Sequence, residues 1–383
     1  MGDQYKKECL MVIILDRLSS IIQKGEVTER YYNPGSVFKQ VHIILMNDDR
    51  PDLDEVQKMV GEAKLFIHNL PPPGFIRSLG WSTWLLKSWV KSGLVLAETI
   101  NPNIIRTHSN FLDGYLAREI KKITGIPYVV SLHTVRDRDS LYTPLRRLRR
   151  LFQIKYERLS LMESDAVIAV YMPIIRYAKS HGARRVELIY NIVGNGVISK
   201  KTQYDASSPM RILNVNRQLF GKNPENIIRA IVDVDCEYTL IGDGPYHSKL
   251  IELTRSLGIE SKVNFIKSMP NKELCEMLAT FDFVVTHCDY SGISKTNIEG
   301  ALAGLPMILN KPLAEHIPDL DGNWILLCDN NPNSYHNAIE SFVTNKKLRV
   351  MYGQRALKHA YQNFEPSVME KKTVDLYCEI LDI

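Results

Sequence analysis

Three clusters in the second half of this 383-residue chain gather cations, glycines, hydroxyls and a carboxylate where apolar runs end and helices begin. The first reads Val215-Asn216-Arg217-Gln218-Leu219-Phe220-Gly221-Lys222-Asn223-Pro224, with Arg217 and Lys222 five positions apart. An apolar run ends here, and Pro224 can open a helix at its first turn. Cations beside a helix N-terminus make an anion site, and Arg with Lys suits a diphosphate better than one carboxylate. In isolation, two solvated loop charges would read the same way. The second cluster, Leu240-Ile241-Gly242-Asp243-Gly244-Pro245, runs a strand into a turn whose glycines tolerate positive φ and let a backbone approach a ligand. It lacks the third glycine of a dinucleotide fingerprint, so an ordinary strand-to-helix turn fits it equally. In the third, a loop of Asp289, Tyr290, Ser291, Gly292, Ile293, Ser294, Lys295 and Thr296 precedes a helix carrying Glu299 in its early turns. Free amides at that helix start could receive phosphate, whereas the carboxylate could accept from ribose hydroxyls or simply complement the helix dipole.

Two further segments bear on partners. Residues 145–158 carry Arg146, Arg147, Arg149, Arg150, Lys155 and Arg158 against Glu157 as the only acid, on an amphipathic helical pattern suited to an anionic membrane surface. Trp81, Trp84 and Trp89 interleave with Lys87 and Lys91, a mixture also found at membrane interfaces. Core tryptophans and a solvated basic face are the plain alternative. Six cysteines include no C-x-x-C pair and no histidine at zinc spacing, which predicts reduced cytosolic thiols. D-x-D occurs at 52/54, 137/139, 233/235 and 319/321, too short a pattern to imply a metal.

These clusters need elements to hold them. Short apolar runs at 10–15, 41–46, 64–68, 104–107, 128–132, 166–170 and 187–190 alternate with helical stretches such as 113–124 and 145–163. After the polar linker 199–209 the alternation resumes, with runs at 211–215, 238–241, 263–265, 283–286, 307–309 and 324–327. Helical patterns lie between them at 224–232, 246–257, 271–280 and 296–303. Such alternation predicts an α/β fold of two doubly wound, Rossmann-like domains, with ligands outside the carboxyl ends of the strands and in the cleft between domains. The expected division is 1–200, 209–365 and a closing helix over 366–383. The composition agrees: 45% hydrophobic and 24% charged residues exclude a disordered, collagenous or coiled-coil chain. A net charge of +5 is too mild for whole-protein nucleic-acid binding. The apolar start at 9–15 lacks a cleavage site and looks like a buried strand rather than a signal peptide, and no run approaches the ~20 residues of a membrane span.

Taken together and in order, the three clusters resemble the retaining GT-B glycosyltransferases of family 4, which use nucleotide sugars. The family pattern has Arg and Lys five apart after the first strand of the C-terminal domain, a G-x-G-P turn, and E-x7-E leading into A-x-x-x-G-x-P. Arg217, Lys222, Gly242 to Pro245, Glu299, Ala301 and Gly304 to Pro306 fit it. In the first half, residues 124–133 resemble the family's strand ending in a site histidine, here His133, and 163–170 resemble its later strand before the interdomain cleft. The stretch Lys24-Gly25-Glu26 and residues 29–35 match the region facing the acceptor, and Phe364-Glu365-Pro366 opens a segment like the one that crosses back to the N-terminal domain. Two positions depart from the pattern: Ser291 stands where the first glutamate of E-x7-E is expected, and Tyr190-Asn191-Ile192-Val193 keeps only the Asn of a Pro-Asn-Gly stretch.

The resemblance implies a UDP- or GDP-linked sugar as donor, no cofactor and no metal. Arg217 and Lys222 would stabilise the leaving diphosphate, and His133 would sit near the donor sugar. Gly242, Gly244, Ser291, Gly292, Ile293, Ser294, Lys295, Thr296 and Glu299 would bind the donor. Gly25, Glu26 and His108 would lie on the acceptor side. Partners would be a glycan or lipid-linked acceptor and an anionic membrane met through Arg146, Arg147, Arg149 and Arg150, in the cytoplasm or at the inner face of the membrane. Ser291 keeps open a second class, a catalytically silent GT-B protein that binds a nucleotide or a partner glycosyltransferase. A nucleotide-sugar epimerase on the same architecture is a third.

Overall fold

The structure is a computed structural model. It describes residues 7–135, 144–193, 198–219, 221–222, 224–288, 292–312, 317–320 and 323–383, with backbone only for 144–148. The chain divides into two compact units, Met1–Asn191 with Ser367–Ile383, and Ile192–Pro366.

In the first unit, strands β1 (Lys7–Ile14), β2 (Phe38–Leu45), β3 (Lys64–Asn69), β4 (Ile104–Thr107), β5 (Tyr128–Leu132), β6 (Ala166–Ala169) and β7 (Val186–Leu188) form one sheet. Its order is β3-β2-β1-β4-β5-β6-β7, and every pair is parallel. A parallel strand covered on both faces reads as a continuous apolar run, and β1 shows it: all six residues from Cys9 to Ile14 are buried. The connecting helices are α1 (Leu18–Gln23), α2 (Leu53–Val60), α3 (Thr83–Ile100), α4 (Leu112–Thr124), α5 (Pro144–Met162) and α6 (Met172–Ser180). Local chemistry sets their ends. The Asp52 side chain accepts from the amides of Asp54 and Glu55 to start α2, and Gly125, at φ +76°, closes α4.

In the second unit, β8 (Met210–Val215), β9 (Cys236–Ile241), β10 (Val263–Ile266), β11 (Phe283–Thr286), β12 (Met307–Asn310) and β13 (Leu326–Cys328) take the order β10-β9-β8-β11-β12-β13, again all parallel. Helices α7 (Glu225–Ala230), α8 (His247–Ser256), α9 (Asn271–Met277), α10 (Lys295–Leu302), α11 (Pro332–Thr344) and α12 (Lys346–Asn363) lie between and after the strands. Ile212, Ile227, Tyr238, Phe283, Ile308, Tyr335 and Phe342 belong to the core, each fully buried. Both units are therefore Rossmann-like and doubly wound, each with a switch point beside its first strand: between β1 and β4, and between β8 and β11.

Several sequence expectations shift at their ends. The first strand begins at Lys7 and stops before Leu15, and 187–190 contributes only the end of β7. The run expected at 324–327 forms β13 two residues later, because Trp324 is a core side chain, 1% exposed and stacked on His359 with ring centres 4.6 Å apart.

The final helix, α13 (Pro366–Ile380), completes the first unit. Fully buried Tyr377 packs edge-to-face on Phe38, and its hydroxyl accepts from Arg106 Nη1 at 3.3 Å. Glu370 accepts from the Gly35 amide at 2.8 Å, and Glu379 pairs with Arg185.

Candidate functional site

The loop after β8 and the turn after β9 are interlocked at the switch point of the second sheet. Had Gly242 a Cβ, it would fall 2.1 Å from the carbonyl oxygen of Asn216, and one on Gly244 would fall 2.4 Å from that of Gln218. Their φ values, +139° and +157°, suit glycine alone. The glycines expected to admit a ligand thus admit the neighbouring loop. Gln218, fully buried, ties the two: its amide donates to Asp243 O at 3.1 Å and its Nε2 to Gly242 O at 2.6 Å. Its Oε1 accepts from His247 Nδ1 at 2.8 Å. Asn216 Nδ2 donates to His287 O at 2.7 Å, bridging the ends of β8 and β11 across the switch point. Arg217, between these two anchors, is exposed, and Lys222 is half-buried. Sequence reasoning overlooked Gln218. A polar residue inside a loop gives no signal until the turn it binds is known.

Helix α10 starts on Ser294, whose Oγ accepts from the Asn297 amide at 3.1 Å. The amides of Lys295 and Thr296 stand at its open N-terminus, where a helix favours anions. Gly292, Ile293 and Thr296 are buried, and Ser294 and Lys295 are half-buried. Glu299 is 2% exposed, and its Oε1 accepts from Asn271 Nδ2 at 2.7 Å. Burial, and after it that carboxylate, pushes the Cys275 thiol pKa up. Asn310 clamps the approach to the loop, accepting from the Cys288 amide at 2.8 Å and donating to the Cys288 carbonyl at 3.1 Å. Ser291 and Asp289 lie outside the described residues.

A cavity of about 180 Å³ sits at the switch point of the first sheet, lined by the strand ends Leu15 and Asp16, His108 to Asn110, and Leu132 to Thr134. It brings His108 and His133 together: their rings stack nearly parallel, 5.4 Å apart. Tyr31 Oη lies 3.4 Å from His133 Nε2, and Tyr31 and Tyr32 flank His108 at 5.5 and 5.1 Å. Asp113 fixes the wall by accepting from the Ser109 amide at 2.7 Å and from its hydroxyl at 2.5 Å. Beneath, Arg106, 6% exposed, donates to Ser131 Oγ at 3.0 Å and lies over the Tyr31 ring. Polar side chains on a sugar-sized hollow suit hydroxyl recognition. Gly25 and Glu26 do not line it. Gly25, at φ +69°, instead ends α1, donating to Ile22 O at 2.9 Å, and Glu26 is exposed.

The basic helix α5 needs a correction. Arg150, expected at a membrane surface, is 9% exposed and pairs with fully buried Glu157. Glu157 Oε2 also accepts from Tyr177 Oη at 2.8 Å, and Tyr177 Oη accepts from Asn110 Nδ2 at 3.2 Å, so the network reaches the cavity wall. The cause is a seven-residue spacing that puts Arg150 and Glu157 on one inward face. Arg149 is exposed, its guanidinium 5.3 Å over the Phe75 ring. The side chains of Arg146 and Arg147 lie outside the described residues. Of the tryptophans, Trp89 is buried and donates to Leu70 O at 3.1 Å, Trp81 packs on Phe75 and Phe111, and Trp84 is 70% exposed. Among the described residues no helix is long and apolar enough to cross a membrane.

Comparison with known proteins falls on the same two halves. Residues 39–194 match the family described as Glycosyltransferase Family 4, and residues 198–359 match Glycosyl transferases group 1. An uncharacterized glycosyltransferase of Methanocaldococcus jannaschii is 24% identical over 365 residues, 94% of this chain and 95% of its own length. The N-acetylgalactosamine-N,N'-diacetylbacillosaminyl-diphospho-undecaprenol 4-alpha-N-acetylgalactosaminyltransferase of Campylobacter jejuni is 25% identical over 182 residues, 46% of this chain and 49% of its own length. Among solved structures, Anabaena HepE in complex with UDP superposes with a TM-score of 0.75 at 15% identity, covering 97% of this chain and all of that one. HepE has also been crystallised with UDP-glucose.

Proposed function

Since this chain belongs to the family 4 glycosyltransferases of GT-B fold, we propose that it moves a sugar, with retention, from a nucleoside diphosphate sugar to a glycan or lipid-linked acceptor. The observation that carries the donor half is the interlock that holds Arg217 at the switch point of the second sheet. There the two cations would meet the diphosphate, Glu299 the ribose, and the N-terminus of α10 a phosphate oxygen. The bond from the sugar's anomeric carbon to the diphosphate oxygen breaks as the bond to the acceptor oxygen forms on the same face. The acceptor's proton passes to the departing phosphate. Arg217 and Lys222 stabilise the charge growing there, about 3 kcal/mol per well-placed group. His133, fixed against Tyr31 and His108, would contact the donor sugar, and its first-unit cavity would receive acceptor hydroxyls.

The HepE complexes with UDP and UDP-glucose support a UDP-sugar as donor, and the Campylobacter relative supports a polyprenyl diphosphate-linked acceptor. On this reading the enzyme serves cell-surface polysaccharide synthesis, in the cytoplasm and at the inner face of the membrane, without a metal. The test is calorimetric titration with UDP, GDP and ADP, followed by transfer assays with the matching sugar nucleotides. One nucleotide series should bind the wild type, and Arg217→Ala, Lys222→Ala and Glu299→Ala should each weaken it at least tenfold. Binding by no nucleotide would overturn the proposal. Ser291 favours a second reading, a donor-binding protein without turnover. Tight nucleotide binding with no transfer or hydrolysis from any sugar conjugate would select it.

A further inference from the structure

Among the described residues, the first unit carries an apolar knob whose side chains are left exposed. Ile76, Leu79 and Trp84 are 83, 77 and 70% exposed, and from α5 beside them Leu151 and Phe152 are 71 and 42% exposed. The knob is built rather than loose. Phe75 stands edge-to-face on Trp81 at 4.7 Å and on Phe152 at 5.6 Å, and Gly80 lies so close to Phe152 that a Cβ would be 2.9 Å from its ring. Buried Ser78 accepts from the Trp81 amide at 3.0 Å and donates to Gly74 O at 2.8 Å, and Tyr156 donates to Trp81 O. Leu79 and Trp81 both hold positive φ, +47° and +59°, a conformation that costs any residue with a side chain. The backbone is therefore strained in the very turn that turns Leu79 to solvent.

The rim is cationic. Arg77, Lys87, Lys91, Arg149, Lys155 and Arg158 are exposed. Trp84, Lys87 and Lys91 share one face of α3 by helical spacing, as Leu151, Lys155 and Arg158 share one face of α5. Within 75–91 and 149–158 the single acid is Glu157, which is buried and paired with Arg150. A rigid apolar tip with an aromatic, ringed by cations that no exposed acid within 75–91 or 149–158 offsets, matches the boundary between acyl chains and anionic headgroups. A protein partner of like chemistry would have to supply both an apolar pocket and an acidic rim. A second copy of this chain brings the same cations and would repel.

We propose that this knob, formed by 75–84 and the outer face of α5, docks the protein on an anionic lipid bilayer, with Ile76, Leu79, Trp84 and Leu151 entering the acyl boundary. The assignment extends the lipid-linked acceptor reading above and gives it a surface, but vesicles free of any acceptor or sugar nucleotide test it separately from transfer. The experiment is flotation of the full chain with vesicles of equal phosphatidylglycerol and phosphatidylcholine, and of phosphatidylcholine alone, at 0.05 and 0.5 M salt. Trp84 emission is followed in parallel, with brominated lipid as quencher.

The wild type should bind the anionic vesicles at least tenfold better than the neutral ones, with quenching that disappears in Trp84→Phe. Ile76→Ser/Leu79→Ser should lose at least tenfold of that binding while its circular dichroism is unchanged, since both side chains are exposed. Binding equal in this variant and the wild type would overturn insertion, leaving only surface charge. Absence of flotation with anionic vesicles would overturn the proposal outright. So would a wild-type dimer in sedimentation equilibrium that Leu79→Ser splits without any lipid binding, because the knob would then be a self-interface.

Discussion

Replacing Gly242 by alanine tests whether the two loops of the second unit position Arg217 by contact. A methyl group there would lie 2.1 Å from Asn216 O and 2.9 Å from Asn216 C, both backbone atoms that cannot swing aside, so the loops must part by about an ångström. Gly258, in the same unit at φ +67°, has nothing within 4 Å of its Cβ position and supplies the control. Gly258→Ala incurs left-handed strain of about 1 to 2 kcal/mol and Gly242→Ala, at φ +139°, strain of about 1 to 3 kcal/mol, and both gain about 0.4 to 1 kcal/mol from a less flexible unfolded chain. Gly242→Ala alone adds overpacking, about 1 to 3 kcal/mol. At about 2 to 4 °C per kcal/mol for a unit this size, Gly242→Ala should melt roughly 2 to 12 °C below Gly258→Ala. The readout is ¹⁹F NMR of fluorotryptophan-labelled protein, where Trp324 reports the second unit and Trp81, Trp84 and Trp89 the first. If the parted loop costs Arg217 one charge-assisted bond, about 1.5 to 3 kcal/mol, UDP affinity falls about 10- to 150-fold in Gly242→Ala alone. Equal melting of the two variants, or a destabilised Gly242→Ala that keeps full UDP affinity, would refute the reasoning.

Three other expectations follow from the same geometry. Gln218→Ala removes a buried side chain's bonds to Gly242 O and His247, and should cost about 1 to 3 kcal/mol of second-unit stability and weaken UDP binding, read by the same resonances and by calorimetry. Tyr377→Phe keeps the packing on Phe38 but deletes the acceptor for Arg106. It should lower the stability of the first unit by about 1.5 kcal/mol in urea titrations and leave the Trp324 transition unmoved. Between β2 and the edge strand β3, His42 Nδ1 lies 3.0 Å from His68 Nε2; burial, then the neighbouring His68, pulls the His42 pKa down to about 4, and burial lowers His68. Both are neutral when folded but protonate near 6.5 when unfolded, so stability is complete above pH 6.5 and falls as pH drops towards 4. Urea midpoints of the first unit should trace that loss, and His42→Asn should flatten it.

The strands at 104–107, 128–132 and 283–286 were legible to the residue, because each short run rich in β-branched residues is set off by turn-forming or polar neighbours, as Asn101-Pro102-Asn103 precedes the first and Gly125-Ile126-Pro127 the second. Trp324 misled for the same reason: one large apolar residue ahead of a short edge strand extends the run without joining the ladder. In the candidate site, residue types were readable and their partners were not. Arg217 could be singled out from its spacing to Lys222, while Gln218 beside it could not. Arg150 looked like its three basic neighbours, and Glu157 as the lone acid was the available hint that one of them is held inside. At the knob, Trp84 with Lys87 and Lys91 was readable as an interface mixture, whereas Ile76 and Leu79 escaped because their signal is exposure, which depends on which side of Trp81 and Phe75 the chain turns.

The first unit is discontinuous: Ile192–Pro366, 175 residues, separates its sheet from the helix that completes it. Synthesis at about 5 to 20 residues per second puts roughly 10 to 35 s between the last strand of that sheet and the first residue of the closing helix. Through that interval Arg106 has no Tyr377 hydroxyl, Phe38 has no aromatic partner and Gly35 has no carboxylate. The second unit is one uninterrupted segment and can finish while its predecessor waits. Order of completion therefore runs against order of translation, and the nascent first unit, with an open seam beside the strand that leads to its cavity, is the stage at which a chaperone would find this protein.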